Sequence, residues 1–111
     1  MSTRGHIGFE DEVGDLFAVY NHHDSYPEGL LEDAKNFITD EGPEEFMAWV
    51  KRGAEFGGFR SFPEHYDEPG NYVGETSPEA LDNDYAYIFN FRGKLSKVYK
   101  WGDPQPLEDY Q

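Results

Sequence analysis

Between Asp84 and Phe91 the chain alternates Tyr85, Tyr87, Phe89 and Phe91 with Ala86, Ile88 and Asn90. A period of two puts successive side chains on opposite faces of a strand, so the four rings share one face. Arg92-Gly93 reads as a two-residue turn, and Leu95 to Trp101 as the returning strand, with Leu95, Tyr99 and Trp101 on one face. The alternation makes the aromatic face core. It makes Lys94, Lys97 and Lys100 solvent-facing or protective of a sheet edge.

A second hairpin lies at the other end. Arg4 to Phe9 reads as a strand, with His6 and Gly8 on one side and Ile7 and Phe9 on the other. Glu10 to Gly14 is a turn, with Gly14 supplying a positive φ, and Leu16 to Tyr20 returns antiparallel. Two helices follow. Leu30, Leu31, Ala34, Phe37 and Ile38 recur at helical spacing behind Pro27, with Ser25 as a cap and Glu32, Asp33 and Lys35 on the solvent side. Asp40-Glu41-Gly42 ends that helix. Pro43-Glu44-Glu45 opens the next, with Phe46, Met47, Trp49 and Val50 facing inward.

Residues 53–83 mix Gly, Pro and acids with scattered aromatics. They give no clear element beyond one helical turn at Ser77 to Leu81. The expected fold is α+β, one domain over residues 1–111. It is a small antiparallel sheet of two hairpins, four strands in all, with two helices packed on one face and a loosely ordered tail over 102–111.

Composition bounds the function. Aliphatic residues are scarce and aromatics are 17% of the chain, so the core is expected to be aromatic. There is no cysteine, which removes disulfides, thiolate metal sites and cysteine nucleophiles, and suits a reducing compartment. No apolar run follows Met1 and no segment has membrane-spanning length, so no signal peptide and no membrane span are expected. Twenty-three acidic residues oppose nine Lys and Arg, a net charge of −14. That disfavours direct contact with nucleic-acid phosphates or anionic membranes. Twelve of the acids lie between Glu10 and Glu45, where Lys35 is the one base. Arg92 to Lys100 holds four bases and no acid. The expectation is a negative side and a small basic ribbon.

The densest chemistry is Tyr20-Asn21-His22-His23-Asp24-Ser25-Tyr26-Pro27-Glu28-Gly29. Arg4, His6, Asn21, His22, Asp24, Tyr26 and Glu28 can surround a small polar ligand, with Arg4 either ion-paired to Asp24 or Glu28 or clamping an anion. A metal site is not expected: adjacent His22 and His23 diverge on an extended backbone, and no HxH or HxxxH spacing exists. A Ser-His-Asp triad from consecutive residues fails geometrically, because its members must converge from separate segments. No catalytic residue and no cofactor are therefore assigned. Asp24 and Ser25 read more simply as caps of the helix that follows.

Thr3-Arg4 near the start, and the Tyr20 to Gly29 stretch after the hairpin, resemble small uncharacterised proteins of bacteriophages and mobile elements. Those proteins open with Thr-Arg and carry Tyr-x-His-x-Asp-Gly/Ser-Tyr-Pro. His22, Asp24, Tyr26 and Pro27 match; His23 falls at a variable position, and Ser25 stands where glycine is commoner. Tyr85 to Asn90 and Val98 to Lys100 are similar to the closing strand pair of such proteins. The resemblance implies a genomic setting rather than a reaction.

Three expectations follow, of which the last and plainest is a structural or purely solvating small domain. The first is an acidic accessory protein of a virus or mobile element, in the host-cell cytoplasm. It would bind a basic host protein, such as an antiviral defence component, by polyanion mimicry through Asp11, Glu12, Glu32, Asp33, Glu41 and Glu44. The second is a binding protein or hydrolase for a nucleotide-like small molecule, using the Asn21 to Gly29 motif.

Overall fold

The computed structural model describes residues 3–21, 25–52, 72–76 and 84–111. Its centre is a mixed sheet. β1 (Gly5–Glu10) and β2 (Leu16–Asn21) form the first hairpin, and β4 (Tyr85–Asn90) and β5 (Leu95–Lys100) the second. β3 (Tyr72–Thr76) pairs with the outer side of β2, and the two-residue β6 (Asp103–Pro104) extends β5. The order is β3-β2-β1-β4-β5-β6.

The fold class is α+β as expected, but the sheet is larger and not wholly antiparallel. β1 and β4 run parallel, in register from Gly5 opposite Tyr85 to Glu10 opposite Asn90. The two hairpins thus meet through their first strands, and β1 becomes central. β3 arises inside the stretch that showed no strand pattern; the helical turn expected at Ser77 to Leu81 lies outside the described residues.

Helices pack on one face. Pro27–Leu31 forms a wide π-helical turn that runs directly into α1 (Glu32–Glu41), and α2 (Pro43–Arg52) follows after Gly42. Gly42 sits at φ 95°, with its N–H on the Ile38 carbonyl at 2.8 Å. That positive φ, which glycine adopts without strain, ends α1. Ile7, Phe9, Val19, Tyr87, Phe89 and Val98 from the sheet meet Leu30, Leu31, Ala34, Phe46, Trp49 and Val50 from the helices in one buried cluster. The core is aromatic, as the composition implied: the Phe46 ring stands edge-on to Phe89 at 5.2 Å and stacks with Trp49 at 6.1 Å. The other sheet face is also buried, around Leu16, Ala18, Ala86, Ile88 and Tyr99, with His6 beside them.

Three local expectations change. The β4–β5 connection is longer than Arg92-Gly93. Asn90 N–H reaches the Lys94 carbonyl at 2.8 Å, Gly93 sits at φ 84°, and Asn90 Oδ1 accepts from the Arg92 and Lys94 amides. A positive-φ glycine closing a three-residue loop is a standard hairpin solution. It moves Phe91 from the strand into the turn. An irregularity between Ile88 and Phe89 then shifts the register, so Leu95 opposes Phe89 while Lys97 opposes Ile88. Leu95 packs on the helix-side cluster and Tyr99 belongs to the opposite one. Trp101, expected in the core, is 61% exposed in the β5–β6 turn at φ 55°.

The segment after Gly102, expected to lie loosely, is held down. Gln105 N–H bonds the Val98 carbonyl at 2.8 Å, and Lys35 Nζ bonds the Tyr110 carbonyl at 2.6 Å. Leu107 and Tyr110 pack against the main cluster. Its prolines do not prevent this, because the short β6 lies at a sheet edge, where Pro104 is tolerated.

Candidate functional site

The two ends of β1 carry the residues singled out by the sequence. At its start, Ser25 is fully buried. Its N–H donates to the Thr3 carbonyl at 3.1 Å, and its own carbonyl accepts the Tyr87 hydroxyl at 2.7 Å. Gly5 faces it: a Cβ there would lie 2.7 Å from both Ser25 Cβ and the Tyr85 carbonyl oxygen. Only a small residue at 25 and none at all at 5 allow this crossing. Burial pushes the Tyr87 phenol well above its ordinary value, with Tyr85, Tyr110 and Glu28 adding to the shift. It stays protonated as the donor to Ser25.

Ser25 lies one residue before the N-cap position rather than at it. The cap position falls to Tyr26, which makes no side-chain capping bond, and Pro27 sets the first turn through its fixed φ. His22, His23 and Asp24 lie outside the described residues, as does the side chain of Asn21.

The ligand set does not come together among the described residues. Arg4 is exposed and hydrogen-bonds the Tyr20 phenol. Burial raises that phenol and the guanidinium partly offsets the rise. Arg4 is latched to the next strand through its backbone: its N–H donates to Asp84 Oδ2 at 3.0 Å, and its carbonyl accepts from Tyr85 N–H. His6 packs edge-on to Tyr20 at 5.5 Å, on the face away from the helices. Glu28 lies on the helix side, close enough to Tyr87 to influence it. Alternation along β1 and β4 sets His6 and Glu28 on opposite faces of the sheet. Tyr26 is 38% exposed.

The acidic contact residues divide into two groups. Glu32 borders a shallow hollow of about 220 Å³ with Glu28, Lys35, Asp109 and Tyr110. Asp33 is half-buried in the first turn of α1, and Glu41 is exposed at its far end. Asp11, Glu12 and Glu44 converge instead at the end of β1, around an open groove of about 440 Å³. The groove is lined by Phe9 from β1, Val13 from the turn, Met47, Ala48 and Lys51 from α2, and Phe91 from the β4–β5 turn.

Each part of that groove has a local cause. Asp11 Oδ1 accepts the amides of Val13 at 3.1 Å and Asp15 at 2.9 Å, an Asx-type turn that fixes the loop. Val13 is left 81% exposed at its tip. Gly93 has Ile38 Cγ2 2.8 Å and Pro43 Cβ 3.0 Å from its would-be Cβ, so the β4–β5 turn docks tightly on the α1–α2 corner and brings Phe91 to α2. Lys51 lays its ammonium over the Phe17 ring at 5.1 Å and the Phe9 ring at 5.9 Å. Sequence reasoning found the acids but not the groove. The one local signal was Val13, a lone aliphatic residue among Glu10, Asp11, Glu12 and Asp15.

The basic ribbon is not fully separate from the acid. Lys97 Nζ pairs with Glu10 Oε2 at 3.0 Å, which raises the Lys97 pKa. Among the described residues no helix is long and apolar enough to cross a membrane, and no group of three or more His, Asp or Glu is placed to hold a metal ion. Compared with known protein families, curated proteins and solved structures, the chain matches none.

Proposed function

We propose that this protein is a binding module whose acidic surface engages a basic partner protein. The observation that carries the reading is the convergence of Asp11, Glu12 and Glu44, from a β-turn and a helix, around one apolar groove. Charges grouped on a concave surface focus a field and speed the encounter with an oppositely charged partner. The resemblance of the Thr3-Arg4 and Tyr20 to Gly29 stretches to phage and mobile-element proteins supports a setting for it. That setting is an accessory protein acting in the host cytoplasm on a basic host factor, such as a defence component.

The test is capture of host proteins on the immobilised chain, followed by affinity measurement on the purified partner. Binding is expected to fall at least about tenfold between about 50 and 300 mM salt, because screening acts on exposed charge. Asp11→Asn with Glu12→Lys and Glu44→Lys is expected to slow association. The asparagine keeps the Oδ1 acceptor of the turn, so stability stays near that of the native chain. A partner bound equally at both salt concentrations ends this reading.

A further inference from the structure

We propose that the groove between the β1–β2 turn and α2 seats an apolar side chain of the partner, carried on a short segment with lysine or arginine on both sides of it. This rests on the acidic-contact reading above. It adds where the contact becomes specific and which sequence class it selects.

The groove has two chemistries in one place. Its floor is apolar: Phe9, Met47, Ala48 and Phe91. Its rim is acidic, with Asp11 and Glu12 on the turn and Glu44 on the helix. A surface made only for charge contact needs no concave floor, and one made only for apolar contact needs no carboxylates. An exposed valine alone would need no explanation. Here Val13 extends the apolar floor to the tip of the turn, 81% open to solvent. The volume of about 440 Å³ admits more than one aliphatic side chain and lies in the range of ligand pockets.

Charge decides which apolar segment fits. Three carboxylates border the groove against one ammonium, that of Lys51, which already lies over Phe17 and Phe9. An acidic segment meets like charge at the rim and is rejected; a neutral one gains only the floor. A segment with flanking cations gains both. Asp11 is preorganised, pinned by two turn amides, so it loses little side-chain freedom on binding.

The experiment uses the full chain and three fluorescein-labelled hexapeptides, read by anisotropy. The probes are Lys-Arg-Leu-Leu-Arg-Lys, Lys-Arg-Ser-Ser-Arg-Lys and Glu-Glu-Leu-Leu-Glu-Glu. The leucine-basic peptide is expected to bind at least about tenfold more tightly than the serine-basic one, and the acidic peptide not at all. Val13→Ser with Met47→Gln is expected to erase the preference for leucine over serine. Val13→Ser alone, at an exposed turn position, keeps the fold intact and is expected to reduce the preference. Glu44→Gln is expected to weaken both basic peptides alike. The proposal is overturned if the serine and leucine peptides bind equally, if the leucine-basic peptide does not bind, or if the groove variants leave its affinity unchanged. If salt-sensitive binding of a basic protein persists in those cases, the acidic-contact reading survives and only the groove falls.

Discussion

The two ends of β1 are built in opposite ways. At Gly5 the chain is closed: Ser25 is buried against a position that tolerates no side chain, its amide and carbonyl are both bonded, and a tyrosine reaches up through the core to hold it. At Glu10 the chain is open: a short turn leaves Val13 in solvent, and carboxylates border an apolar hollow. The described part of the end richest in conspicuous residues, Ser25 to Leu31, buries Ser25, Gly29, Leu30 and Leu31 and leaves Tyr26 and Glu28 exposed. The end with no motif carries the exposed, unmatched chemistry.

Substitutions can break or sharpen this contrast. The largest effect is expected where both ends share a support. Phe46 touches Phe37, Trp49 and Phe89, and Phe46→Ala should cost about 3–5 kcal/mol, measured by urea denaturation. A loss below about 1 kcal/mol would show that the helices are not seated as described. Next is the closed end. Gly5→Ala forces a Cβ against Ser25 and the Tyr85 carbonyl, and should cost about 1–3 kcal/mol in the same assay. Tolerance there would dissolve the distinction between the two ends.

Tyr87→Phe comes third. It leaves the buried Ser25 carbonyl without its hydroxyl donor and should cost about 1–3 kcal/mol. It carries a pH signature as well. The folded-state pKa of Tyr87 lies above the ordinary value of 10.0, so its stabilisation is complete below that pH and is lost as pH rises through the folded value. Alkaline melts of the native chain should therefore fall above about pH 10, and Tyr87→Phe should flatten part of that fall. Smallest in stability is the open end. Val13→Ser should shift the melt by less than about 0.5 kcal/mol while reducing the leucine preference of the groove. A large destabilisation would make Val13 a structural residue and remove it from the binding surface.

Much of the fold was legible. Alternation located both hairpins, helical spacing located α1 and α2, and Gly14 and Gly42 took the positive φ that turns and helix ends require. What was not legible has physical causes. A period of two says which residues share a face, not which strand lies alongside, so the parallel pairing of β1 with β4 left no mark. The irregularity between Ile88 and Phe89 reverses the phase, which is why Leu95 and Tyr99 part company, and β5 ends at Lys100, so Trp101 falls in the turn to β6 and lands in solvent. The groove draws its lining from β1, its turn, α2 and the β4–β5 turn, so no spacing in the sequence encodes it. His6 and Arg4 looked like one constellation with Glu28 because sequence reasoning cannot see that a sheet stands between His6 and Glu28.

The parallel pair has a consequence in time. Gly5 and Tyr85 are register partners although most of the chain lies between them. By loop-closure arithmetic, joining residues 80 apart costs about 2.5 kcal/mol more entropy than closing a five-residue hairpin. Contacts of that span slow folding. On the ribosome the central strand has to wait, with only β2 beside it, until β4 has been made. During that wait its apolar Ile7 and Phe9 lack their final neighbours, and the edge later taken by β4 is the one most exposed to wrong pairing.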